Sequence, residues 1–240
     1  MNIEIIILLA MMFTTIFLIY KSYQNPVNSK DYIVTVYLYI CVALLFIAVM
    51  AKYAATLHIT DPDNIFKMVI AYFVLTFVGI SMMISNTFFV NHIGFLLMLL
   101  GLSLSIGTST RYATNVPQAA MITALIVAVL TAIVFISSEE RLIQMSEWVH
   151  SLLWILISII LIQLAYILIS GGNETFYKIM SVSVIILFGF FILSDTSRLI
   201  LQSKNLTCTT HSCINYPLKS SSLLLDYINI FVRMLSMNNK

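Results

Sequence analysis

Long apolar runs, one after another, decide what this chain can fold into. They fall near residues 3–20, 32–52, 66–85, 87–106, 118–137, 149–170, 177–201 and 221–236, with hardly any amphipathic sequence between them. Each is close to the ~20 residues an α-helix needs to cross the hydrocarbon core of a bilayer. Of the 240 residues, 60% are apolar and 9% are charged, where a soluble domain carries about 25% charged residues. One water-soluble core cannot hide that much apolar surface, so the runs read as transmembrane helices. The expected fold is all-α and polytopic.

The links between runs hold the residues that end helices and start turns: Asn25-Pro26, Asp61-Pro62-Asp63-Asn64, Asn115-Val116-Pro117, Gly171-Gly172-Asn173 and Asn215-Tyr216-Pro217. Only Ser85-Asn86-Thr87 separates the third run from the fourth. The first run follows Glu4 rather than basic residues and has no A-x-A cleavage pattern, so it reads as an extra membrane anchor rather than a secretory signal. Net charge is +2 and no basic run occurs, which speaks against a nucleic-acid partner. Lysines and arginines divide six against six between the two sides of the membrane, so charge asymmetry does not orient the chain. His58, His92 and His150 sit at the edges of runs, where interface packing is the ordinary explanation.

Acids are almost absent from the apolar runs. Asp195 closes the seventh, in FILSDTSRLI, and Asp226 lies inside the last, in SSSLLLDYINIFVRML. A charge at membrane depth costs a few kcal/mol even on lenient insertion scales, so such a group faces the interior, finds a partner or stays protonated. At 100° per residue Ser222, Asp226, Asn229 and Arg233 fall on one stripe of the last helix. That stripe belongs against other helices. Ser194, Asp195, Arg198 and Gln202 mark the inner end of the preceding helix. Two helices joined by one loop are natural neighbours, so the two aspartates are expected to approach each other. Carboxylates in contact cannot both ionise cheaply and titrate as a pair. A pair holding one proton latches two helices; without it, the pair repels and offers oxygen ligands to a hard cation such as Ca²⁺. The alternative is that each aspartate caps a helix end or pairs with Arg198 or Arg233.

Cys41 lies inside a run and reads as a small core residue. Cys208, His211 and Cys213, in CTTHSC, have the spacing for a weak zinc site or a disulfide. With no fourth ligand near, a loop insertion is the plainer reading.

These residues resemble the Bax inhibitor-1 (TMBIM) family. FGFFILSDTSRLI followed by SSLLLDYINIFVRMLSM is similar to the family's last two helices, an apolar run ending in D-T-Q and a closing L-x-L-D-x-x-N/T-x-F helix. LLGLSLSIGTSTRYATNVPQAAMITA and VTVYLYICVALLFIAVM resemble earlier family segments, so the likeness covers roughly residues 32–237. The resemblance implies a seven-helix membrane domain over 32–240, its C-terminal helix near the centre, preceded here by an additional segment and linker over 1–31. It further implies a pH-sensitive Ca²⁺ leak from intracellular stores, in the endoplasmic reticulum or Golgi membrane, and suppression of cell death. The sensor would be Asp195 and Asp226, with Ca²⁺ as permeant ion and transient ligand and no other cofactor. The loop between the last two helices would be cytosolic. Partners would be the bilayer, Ca²⁺, protons and other membrane proteins of cell-death pathways.

The chain departs from the family pattern at Ser197, where glutamine is usual, and at Arg198, where an apolar residue is usual. Both bear on the pH set-point. The compact size and short C-terminus are similar to viral members. An intramembrane aspartyl protease would also need two aspartates, but it asks for Y-D, G-x-G-D and P-A-L. Here Leu225 precedes Asp226, Ile192-Leu193-Ser194 precedes Asp195, and no P-A-L occurs, so no enzyme is expected. A non-conducting membrane protein that acts through partners is the second reading.

Overall fold

A computed structural model describes residues 3–56, 62–110, 113, 115–171 and 173–238. Its elements are α1 (Ile3–Tyr23), α2 (Ser29–Thr56), α3 (Pro62–Met83), α4 (Phe88–Thr110), α5 (Val116–Phe135), α6 (Glu139–Glu147), α7 (Val149–Ser170), α8 (Glu174–Lys204), a single 3-10 turn at His211–Cys213 and α9 (Tyr216–Asn238). Among the described residues there is no strand. His58 lies outside them.

The helix ends follow from side chains that capture free backbone groups. Asn28 Oδ1 accepts the Asp31 amide at 2.8 Å, starting α2. Asn173 Oδ1 accepts the Thr175 amide at 3.0 Å, starting α8. Asn215 Oδ1 accepts the Leu218 amide at 3.1 Å, starting α9, with Pro217 in the first turn where its missing N–H is not needed. Gly171, at φ 68°, closes α7 in the left-handed conformation that favours glycine.

Among the described residues, seven stretches are long and apolar enough to cross a membrane: α1, α2, α3 from Phe66, α4, α5, Glu139–Ile169 and α8. The chain is a multi-pass integral membrane protein. The last expected segment, α9, differs in kind. Its 23 residues include Lys219, Asp226 and Arg233, too polar to face lipid. It is instead buried on several faces, through Leu223, Leu224, Asp226, Tyr227, Ile228, Ile230 and Leu235. α6 is an addition to the sequence reading: EERLIQMSE is amphipathic, with Leu142 buried and its acids exposed. α8 reaches Lys204, so Asp195 lies nine residues inside the helix and does not cap its end.

The helices group into two compact units. Unit 1 comprises Met1–Tyr112 with Ser203–Leu224, and unit 2 comprises Ala113–Gln202 with Leu225–Lys240. Within unit 1, α1 packs on α2. α1 buries none of its residues, yet both of its ends are tied. Glu4 pairs with Lys52 at one end. At the other, Ser22 Oγ meets Thr35 Oγ1 at 2.7 Å and the Tyr23 hydroxyl meets that of Tyr39 at 3.0 Å. α3 and α4 pack closely through Gly79 and Gly94.

In unit 2, α5 and α8 approach at Gly189, where a Cβ would lie 3.3 Å from Leu130 Cδ1. α8 and α9 meet at Ser181 and Ser236, whose hydroxyls are 3.4 Å apart.

Candidate functional site

The carboxyl of Asp226 is buried on α9, with 6% of the residue exposed. Asp195, on α8 in the same unit, is half-buried and lies within electrostatic reach of it. The two acids therefore occupy one neighbourhood of unit 2. Around Asp195, Ser194, Thr196 and Ser197 are fully buried. Ser197 Oγ donates to the Leu193 carbonyl at 2.7 Å, inside its own helix, and lies 3.6 Å from the Met145 sulfur of α6.

Among the described residues Asp226 Oδ2, Ser194 Oγ and Thr196 Oγ1 are buried without a hydrogen-bond partner. A buried polar atom without a partner is costly.

Arg198 is exposed and Arg233 is half-buried. Asn229 is turned onto its own helix, its Nδ2 donating to the Leu225 carbonyl at 2.9 Å. Ser222 is exposed, so the stripe drawn through Ser222, Asp226, Asn229 and Arg233 is not one buried face. The buried serines of that turn are Ser220 and Ser221. Ser222 stands about 40° around the helix from Asp226, and that rotation carries it past the edge of the packed surface.

The loop trio is divided. Cys208 and Cys213 are joined as a disulfide, with Cα atoms 6.1 Å apart. His211 turns inward, is 3% exposed, and accepts from or donates to the Tyr216 hydroxyl through Nδ1 at 2.7 Å. Among the described residues no cluster of three or more His, Cys, Asp or Glu side chains is arranged to hold a metal ion.

The chain is an all-helical, multi-pass membrane protein with one acid buried on α9 and a second within electrostatic reach on α8. Residues 29–240 match the family model described as inhibitor of apoptosis-promoting Bax1, and the chain belongs to that family. The match begins at the first residue of α2 and leaves α1 outside. Among curated proteins no match is found.

Sequence reasoning missed a second polar centre, in unit 1. Tyr23, Tyr39, His92, His211 and Tyr216 come together from α1, α2, α4, the α8–α9 loop and α9. Tyr32 and Tyr39, seven residues apart, lie on one face of α2 and both touch Tyr216. That spacing was the available signal.

Proposed function

We propose that the protein is a proton-regulated Ca²⁺ leak of intracellular membranes, in the endoplasmic reticulum or Golgi, and that it restrains cell death through that leak. The observation that carries this reading is the buried Asp226 carboxyl, with one oxygen unpartnered and Asp195 as its acidic neighbour. Family membership supports the link to cell death.

Two carboxyl groups in a dry helical interior avoid a double charge by holding a proton between them. In that state α8 and α9 are latched. As pH rises and the shared proton leaves, like charges face each other and their oxygens become available to a hard cation. The leak then grows with pH, because deprotonation both opens the latch and makes the ligand set.

The test is reconstitution into liposomes loaded with a Ca²⁺ dye, comparing the parent with Asp195→Asn and Asp226→Asn across roughly pH 5.5–8. The parent should leak faster as pH rises, and each variant should lose most of that dependence. A parent indistinguishable from empty liposomes at every pH would favour a non-conducting protein that acts through membrane partners. Identical pH curves in all three proteins would remove the aspartates from the mechanism.

A further inference from the structure

Unit 1 holds a connected set of aromatic and imidazole rings that the aspartate mechanism does not use. Tyr23, at the end of α1, stacks on His211 with ring centres 4.9 Å apart. His211 stacks on Tyr216 at 5.7 Å, and Tyr216 stacks on Tyr39 of α2 at 5.7 Å. Hydrogen bonds run through the same groups. His92 Nδ1 lies 2.6 Å from the Phe88 carbonyl, which can only accept, so Nδ1 carries the proton and Nε2 takes one from the Tyr39 hydroxyl at 2.6 Å. Tyr39 in turn meets Tyr23 at 3.0 Å. The backbone is tied in beside the rings: the Val27 amide donates to the Thr209 carbonyl at 3.4 Å, and Ser29 Oγ meets Ser203 Oγ at 2.7 Å.

We propose that this cluster is a proton-released latch, distinct from the aspartate pair, which clamps the α8–α9 loop to the C-terminal end of α1 when His211 is neutral and frees both when it is protonated. The loop's own inward anchor is His211, and its seat is made of tyrosine rings that solvate a cation poorly compared with water. The titratable or charged groups around it are Tyr23 from α1, Asp31, Tyr32 and Tyr39 from α2, His92 from α4 and Tyr216 from α9. Asp31 favours the charged ring, as do the carbonyls of Ser22 and Asn25, but burial outweighs them and holds the His211 imidazole below its ordinary value.

The sign follows from that direction. A freed loop takes up its proton near the free imidazole value of about 6.5, whereas the docked loop resists it. Docking is therefore intact at neutral pH and weakens as pH falls through that value, about tenfold per pH unit until the docked ring itself protonates. Here a low pH opens the latch, whereas at the aspartates a low pH closes one.

Hydrogen exchange on the full chain in lipid nanodiscs, corrected for the intrinsic pH dependence of exchange, tests this. Between about pH 7.5 and pH 5.5 the segments 20–28 and 205–216 should lose protection together, by roughly tenfold. In His211→Gln that pH step should vanish, while in Asp195→Asn it should persist, which separates this proposal from the aspartate mechanism. A parent with no step, a step limited to one of the two segments, or a step unchanged in His211→Gln would overturn it. Should the variant misfold, NMR of the histidine ring protons in the parent decides alone. A His211 midpoint below that of a free imidazole supports the latch, and one at or above it refutes it.

Discussion

Replacing Gly79 by alanine tests the packing that holds unit 1 together. A Cβ there would lie 2.5 Å from the Met98 amide nitrogen and 2.7 Å from the Gly94 carbonyl oxygen. A Cβ on Gly94 would meet the Gly79 carbonyl oxygen at 2.6 Å and the Met83 amide nitrogen at 2.7 Å. Carbon needs about 3.5 Å of separation, so α3 and α4 would have to part by roughly 1 Å. The obstacles are backbone atoms, which cannot swing aside as a side chain can. Overpacking costs about 1–3 kcal/mol, and Gly79→Ala belongs at the upper end because parting the helices also forfeits dispersion along the whole seam. The double variant should cost less than the sum of the singles by about 1–2 kcal/mol, since helices already parted for one methyl have room for the other. Equilibrium unfolding in mixed detergent micelles, followed by circular dichroism, measures all three. Single variants as stable as the parent, or strict additivity in the double, would show that no such close approach exists.

Asn215→Ala should destabilise by about 1–3 kcal/mol, read as a lowered midpoint in the same assay. It removes the amide that donates to the carbonyls of Met83 at 2.7 Å and Ser85 at 3.2 Å, along with the N-cap of α9. Gly171→Ala should cost about 1 kcal/mol, because its φ of 68° strains any residue with a Cβ. Gly189→Ala should be neutral or gain up to about 1 kcal/mol of helix propensity, because the new methyl meets only the flexible end of Leu130, at 3.3 Å. A Gly189 variant as damaging as the Gly171 one would contradict this contrast.

Spans and their breaks were legible because the apolar runs and the capping residues agree. Even the slight separator Ser85-Asn86-Thr87 proved sufficient, with α3 ending at Met83 and α4 starting at Phe88. α6 was not legible as a separate element. Its nine residues are too short to stand out beside the apolar run that follows. Asp195 and Asp226 stood out because an acid in an apolar run is anomalous in one dimension. The stripe through Ser222 failed because helical periodicity ranks directions without saying how wide the packed surface is. His211 was grouped with the cysteines by closeness in sequence, whereas its contacts depend on α1 folding back along α2, which no local pattern encodes. Tyr23 and Tyr216, the rings that hold it, are 193 positions apart in the chain.

Infrared spectroscopy of the parent with ¹³C-labelled aspartate, titrated in lipid and compared with Asp226→Asn, reads the central claim most directly. We predict, within about pH 5.5–8, where an ordinary aspartate is ionised, a protonated carboxyl stretch that disappears as pH rises and that is missing from Asp226→Asn. A spectrum with no protonated carboxyl anywhere in that range, or a band titrating within it that survives the substitution, would contradict a proton shared between α8 and α9.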